Sequence, residues 1–184
     1  MNQPLIIAHR GASTLAPENT LSAVNLAWQI GARAVEIDVR LTRDRQIVAI
    51  HDANTWRLTR HFGYIRRRSL EQLRQLDFGR HKGSEWQGES IATLPQILDN
   101  LPQGKKLFIE IKGLPLIVPF LARLFKMFSF HNEQINFLAF NKRTLAAAKE
   151  YFPHKAVYML YEYRLRRPRP VYFLRKIITA HLDG

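Results

Sequence analysis

Cysteine is absent from this 184-residue chain, which excludes disulfides and thiolate metal sites and leaves the redox compartment open. Acidic residues are scarce, 15 against 28 Lys and Arg, for a formal net charge of +13. That balance points to anionic partners. Nucleic acid, an anionic membrane surface and a phosphorylated small molecule stand as alternatives, beside a basic surface of no particular use. Glycine and proline are few and dispersed, nine of each, so no low-complexity tract or flexible linker divides the chain. Residues 1–184 therefore read as one domain, and 46% hydrophobic content is enough for a real core.

Long apolar runs are also missing. The longest apolar stretch, Leu114 to Phe130, is broken by Pro115, Pro119, Arg123 and Lys126, so it does not span a bilayer. It is expected to be a helix with a wide buried face, with a lipid-touching interfacial helix as the lesser reading. Met1-Asn2-Gln3-Pro4 carries no positive charge before an apolar run too short for a signal sequence. The expected location is the cytoplasm, with peripheral attachment at the inner membrane as an extension of it.

What is present is a pattern of short apolar runs that end in chemistry. Leu5-Ile6-Ile7-Ala8 leads into His9-Arg10-Gly11, and Ala34-Val35-Glu36-Ile37-Asp38-Val39 carries two carboxylates. Ile47-Val48-Ala49-Ile50 leads into His51-Asp52, and Leu107-Phe108-Ile109-Glu110-Ile111-Lys112 sets an acid beside a base. Each run is short, rich in β-branched residues and bounded by turn or helix signals, and so reads as a strand. Two further runs follow, Ile135 to Phe140 and Ala156 to Leu160.

Helices fall between the strands. Leu21, Val24, Ala27 and Trp28 share one face, with Asn19 or Thr20 as N-cap and Gly31 as the stop. Ser69 opens a helix bearing Leu70, Leu73 and Leu76, Thr93 opens another, and a third covers about Arg143 to Tyr151. A hairpin-like turn is expected at Thr42 to Gln46, and a loop at Phe78 to Ile91. Arg66-Arg67-Arg68 and the Arg164 to Arg169 cluster read as solvated loops or helix ends. Alternating strands and helices predict an α/β fold with a parallel sheet. Chemistry at the C-terminal ends of several strands narrows this to a TIM-type (β/α) barrel. His181-Leu182-Asp183-Gly184 resembles the start of a seventh strand, so the barrel is expected to be incomplete, about six to seven strands of the usual eight. Open edges would then favour self-association.

In a strand, residues two apart face the same side, so Glu36 and Asp38 share one face and Val35, Ile37 and Val39 the other. Glu36, Asp38 and Glu110 gathered at one barrel mouth would repel unless a cation held them. Oxygen-only ligation suits Mg²⁺ or Ca²⁺, not zinc. His9 and His51 are the natural proton handlers, and Arg10 and Lys112 could hold a phosphate. Acids for a metal, two imidazoles and two cations describe metal-assisted cleavage of a phosphodiester. The readings set against it are two solvated carboxylates on an edge strand and a catalytically dead phosphate- or membrane-binding remnant.

His9-Arg10-Gly11-Ala12, Pro17-Glu18-Asn19-Thr20, Glu36-Ile37-Asp38-Val39, His51-Asp52 and Glu110-Ile111-Lys112 resemble, in order and spacing, the glycerophosphodiester phosphodiesterase family. The resemblance implies a TIM-barrel hydrolase of lipid and glycerol metabolism that cleaves small-molecule glycerophosphodiesters to glycerol 3-phosphate and an alcohol. It implies His9 and His51 as the general acid–base pair, and Glu36, Asp38 and Glu110 as ligands of Ca²⁺ or Mg²⁺. Arg10 and Lys112 would serve the phosphate and Glu18 the inner hydrogen-bond network, with no nucleic-acid partner. A lysophospholipase D-like lipid phosphodiesterase is the neighbouring alternative. The chain departs from the family where Asn54-Thr55-Trp56 precedes Arg57 and where Ala139-Phe140-Asn141 replaces Ser-Phe-Asp. The family's last two strands are not expected within this length.

Overall fold

Aliphatic and β-branched residues in alternation hold the chain extended and give each strand two faces that can be buried separately. The structure, a computed structural model, describes residues 4–128 and 134–161. The expectations for Met1 to Gln3, Arg164 to Arg169 and His181 to Gly184 lie outside the described residues. Among the described residues six strands form: β1 (Ile7–His9), β2 (Ala34–Leu41), β3 (Ile47–Ala49), β4 (Lys106–Ile111), β5 (Ile135–Ala139) and β6 (Val157–Met159). Five of them run parallel in the order β1-β2-β4-β5-β6.

β3 does not join that parallel array. It folds back antiparallel on the end of β2, pairing Ala49 with Val39 and Ile47 with Leu41. The Thr42 to Gln46 turn makes this possible. Thr42 N–H donates to the Gln46 carbonyl at 2.9 Å, and Arg45 takes a left-handed φ of 62°. A connection this short can join only antiparallel neighbours. The hairpin-like turn expected at Thr42 to Gln46 thus forms, and it makes β3 an antiparallel arm beside the five parallel strands.

Six α-helices among the described residues connect or cover the strands: α1 (Leu21–Gln29), α2 (Trp56–Thr59), α3 (Leu70–Arg74), α4 (Leu94–Asp99), α5 (Val118–Phe125) and α6 (Lys142–Tyr151). Their starts follow from local chemistry. The Thr20 side chain accepts from Ala23 N–H at α1, and Ser69/Gln72 and Thr93/Gln96 make reciprocal capping boxes at α3 and α4. Thr20, rather than Asn19, is thus the cap of α1. Asn141, at the site of the Ser-Phe-Asp departure, caps α6 through Arg143 and Thr144 N–H. The apolar stretch after Lys112 forms a 3₁₀ turn (Pro115–Ile117) and then α5, which buries Val118 and Leu121. No described helix is long and apolar enough to cross a membrane.

Alternation along the strands divides the interior. Val35, Ile37, Val39, Leu107, Ile109, Ile111, Ile135 and Phe137 pack under the helices in the main core. On the opposite face Ala34, Phe108 and Leu138 form a small apolar layer with Tyr158 and Leu160. Above that layer the same face carries Glu36, Asp38 and Glu110, all buried. A third cluster, with Val48, Ile50, Leu58, Ile65 and Leu73, fixes the excursion between β3 and α4.

Candidate active site

His9, Arg10 and Gly11 make the turn from β1 toward α1. Arg10 and Gly11 both have left-handed backbone, φ 60° and 79°. A Cβ on Gly11 would stand 2.6 Å from the Ala23 carbonyl carbon, so glycine lets this turn lie directly on α1. Ala12 N–H then donates to the Ala23 carbonyl at 2.9 Å. The turn presents Arg10 N–H to Glu36 Oε2 at 3.1 Å and sets His9 Nε2 3.8 Å from that oxygen. His9 remains mainly in solvent, its side chain 67% exposed.

Strand register assembles the acids. Asp38 lies opposite Glu110 across β2 and β4, and Glu36 sits opposite Phe108. Glu36, Asp38 and Glu110 each bring a carboxylate oxygen to within 4.8 Å of the others. Lys112 Nζ stands 3.1 Å from Asp38 Oδ1 and 2.6 Å from Glu110 Oε1. Arg10 Nε lies 3.1 Å from Asp38 Oδ2, and Arg10 Nη1 donates to Glu18 Oε1 at 2.9 Å. Both cations that the sequence offers to a phosphate are thus also paired to carboxylates. Glu36 Oε1 is buried with no hydrogen-bond partner among the described residues. An orphaned carboxylate oxygen of this kind is costly unless a cation completes it. Three hard oxygen donors with a point of convergence suit a cation of the Mg²⁺ or Ca²⁺ type, so the residues fit such an ion.

The electrostatics carry the same signature. Burial, reinforced by Asp38 and Glu110, pushes the Glu36 carboxyl up to about 8. Burial and Asp38 also raise Glu110, against the pull of Lys112. Burial works to raise Glu18 and Asp52 as well, but Arg57 and Arg10 hold Glu18, and the His51 hydrogen bond and Arg57 hold Asp52, below the usual carboxylate range. His9 is lowered by partial burial and by the adjacent Arg10 charge, with a smaller contribution from His51.

His51 follows β3 at the end of the hairpin arm. Its carbonyl accepts from Arg40 Nε and Nη2 at 2.9 and 2.6 Å, which ties the end of β3 back to β2. Its Nδ1 lies 2.8 Å from Asp52 Oδ1. An ionised carboxylate can only accept, so Nδ1 carries the proton and Nε2 keeps its lone pair.

Three residues of this site escaped sequence reasoning in these roles. Asn19, with φ 59° and nearly complete burial, donates from Nδ2 to Asp38 Oδ2 at 2.8 Å and accepts from Asp38 N–H at 2.9 Å. Asn is the side chain best able to take left-handed backbone and bond locally, so its place beside Glu18 was the available signal. Arg57 donates from Nε to Asp52 Oδ2 at 2.6 Å and from Nη1 and Nη2 to Glu18 at 2.8 and 2.6 Å. Asp52 orients His51. Among Arg10, Glu18, Arg57, Asp52 and His51 the bonds form a continuous chain from the turn after β1 to the hairpin arm.

The fold and the site define a parallel α/β-barrel protein whose carboxylate cluster sits on the inner face of the sheet, toward its C-terminal end. The profile of the glycerophosphoryl diester phosphodiesterase family matches residues 9–182, and the chain belongs to that family. YhdW of Bacillus subtilis (strain 168) is 42% identical over 151 residues, 80% of this chain and 62% of that protein. The glycerophosphodiester phosphodiesterase of Caldanaerobacter subterraneus subsp. tengcongensis is 36% identical over 170 residues, 89% of this chain and 69% of that one. Among solved structures, an Oleispira antarctica phosphodiesterase in complex with the product sn-glycerol 3-phosphate superposes with a TM-score of 0.88. Its identity is 32%, over 97% of this chain and 72% of that one. The chain spans roughly two thirds of its relatives' length, between 62% and 69% for these two sequences.

Proposed function

We propose that this chain hydrolyses glycerophosphodiesters to glycerol 3-phosphate and an alcohol, with a divalent cation held by Glu36, Asp38 and Glu110. The observation that carries the reading is the set of buried carboxylates converging within 4.8 Å, one oxygen of Glu36 orphaned, with His9 Nε2 3.8 Å from Glu36 and His51 linked to Arg10 through Asp52, Arg57 and Glu18. The Oleispira antarctica phosphodiesterase, which superposes on this chain, holds sn-glycerol 3-phosphate as product, and this supports the substrate class. A Mg²⁺ or Ca²⁺ ion, when bound, would neutralise phosphoryl oxygens and lower the barrier to attack at phosphorus.

The chain's own residues do the rest. Arg10 and Lys112 border the acids and add positive charge where the phosphate would sit. Breaking the phosphorus–oxygen bond to the alcohol adds oxygen from water to phosphorus and a proton to the leaving alkoxide. In this reading His9 and His51 move those protons. Asp52 holds the His51 ring in one tautomer, and the lowered His9 keeps a neutral imidazole near neutral pH. Each imidazole contributes roughly 10² to 10⁴ in rate.

Glycerol 3-phosphate release from glycerophosphodiesters, measured with Mg²⁺, with Ca²⁺ and with chelator, tests the reading. His9→Ala and His51→Ala are each expected to lose at least about 10²-fold in kcat with melting temperature nearly unchanged. Turnover that survives either substitution, or that ignores chelator, would refute it.

A further inference from the structure

A cavity of about 300 Å³ opens beside the acid cluster, between the β4–α5 connection and the excursion that follows β3. Lys112 belongs to both places, lining the cavity and pairing with Asp38 and Glu110. The apolar wall is Leu41, Tyr64, Ile65, Leu114, Leu116 and Ile117. Leu114 and Leu116 are 71% and 68% exposed, on the short segment leaving the C-terminal end of β4. Exposed leucines are ordinary singly. Two of them at the rim of a cavity that shares Lys112 with the carboxylate site form a surface that a ligand can cover.

The charges around the cavity restrict what enters. Among the described residues its lining includes three cations, Arg40, Arg66 and Lys112, and no acid. Lys112 is offset by its carboxylates, whereas Arg66 stands over the Tyr64 ring at 5.9 Å. Arg67 stands over the same ring at 5.6 Å. The Tyr64 ring, which could receive a quaternary ammonium, already has two guanidinium groups stacked near it. A choline or ethanolamine head would find no acid in the lining and would meet Arg66, while the nearby Asp38 and Glu110 are already paired with Lys112.

We propose that the alcohol side of the diester is an uncharged apolar chain seated in this cavity, so the site selects alkyl-type esters over choline and ethanolamine esters. The inference rests on the phosphodiesterase reading above and names the substrate class of that site. The volume is about twice that of an apolar cavity known to take benzene, enough for a short hydrocarbon chain. Each methylene moved from water into such a wall raises affinity by roughly two- to fourfold until the space is filled.

The test pairs turnover with binding. The turnover arm compares kcat/KM for the methyl, propyl and hexyl esters of glycerol 3-phosphate with glycerophosphocholine. A stepwise rise with chain length, and a hexyl ester at least about tenfold better than the choline ester, is expected. The binding arm uses calorimetry with hexyl phosphate and choline phosphate, which need no cleavage. Tighter hexyl phosphate with a negative heat-capacity change is expected. The double variant Leu114→Ser/Leu116→Ser, at two exposed positions, should flatten the chain-length dependence in both arms. Equal or better handling of choline compounds, or an unchanged slope in the double variant, overturns the inference. If no ester is cleaved while hexyl phosphate keeps its advantage, the phosphodiesterase reading fails and the assignment of the cavity stands.

Discussion

Replacing Glu36 with Gln should make the metal-free protein more stable and the metal-loaded protein less so. Glu36 is buried, and its carboxyl is pushed from an ordinary 4.5 up to about 8. Between those values the folded chain holds a proton that the unfolded chain has released. Metal-free stability therefore falls as pH rises through that window. At pH 7 the cost approaches about 3 kcal/mol, shared with Asp38 and Glu110, because each pKa unit is worth about 1.4 kcal/mol. Gln keeps the shape, and its carbonyl still accepts the Arg10 N–H, but it carries no charge to confine.

Metal-free Glu36→Gln should accordingly melt up to roughly 5 to 10 °C above the parent at pH 7 to 8, with the gain vanishing near pH 5. With cation the order reverses. Saturation at 100 times the dissociation constant stabilises the parent by about 2.7 kcal/mol, most of which the variant should forfeit with its third carboxylate. Thermal unfolding from pH 5 to 9, in chelator and in Mg²⁺ or Ca²⁺, reads both effects. A metal-free variant no more stable than the parent at pH 8, or equal cation stabilisation of the two proteins, would refute the reasoning.

Arg57→Met cuts the link between Glu18 and Asp52. Because the side chain is half exposed, stability should change little, while kcat falls roughly 10- to 100-fold through misorientation of His51. Arg57→Lys should recover little, since an ammonium cannot bridge both acids with a planar fork, and an unchanged kcat in the Met variant would remove Arg57 from the site. Asn19→Ala loses both bonds to Asp38 and leaves alanine in left-handed backbone, costing about 3 kcal/mol in urea unfolding and weakening cation binding. Gly11→Ala meets the α1 backbone at 2.6 Å. A loss of about 2 to 4 kcal/mol is expected, and a neutral outcome would mean that the turn can lift off α1.

Much of the site is legible along the chain because strand alternation is a local property. Glu36 and Asp38 fall on one face and Val35, Ile37 and Val39 on the other in any extended conformation, and the structure has them so. Caps are local too, and Thr20, Ser69 and Thr93 start their helices from the residues that follow them. Less was readable where one sequence pattern fits two geometries. The run before His51 has the composition of a barrel strand; the turn at Thr42 to Gln46 was legible, but that it folds the run back on the end of β2 as an antiparallel arm is a matter of pairing. Asn19 looked like a cap because caps and left-handed turns draw on the same residue.

By itself, then, the sequence determined the alternation of strands and helices, the face on which each acid lies, and the series of motifs that identifies the family. Tertiary structure decided which strands pair and at what register, and so that Asp38 stands opposite Glu110. It also decided that Arg57 joins Glu18 to Asp52 and that Leu114 and Leu116 border a cavity shared with Lys112. Periodicity belongs to a few consecutive residues. Proximity between distant segments depends on crossovers and register, which are settled when the two faces of the sheet are buried together.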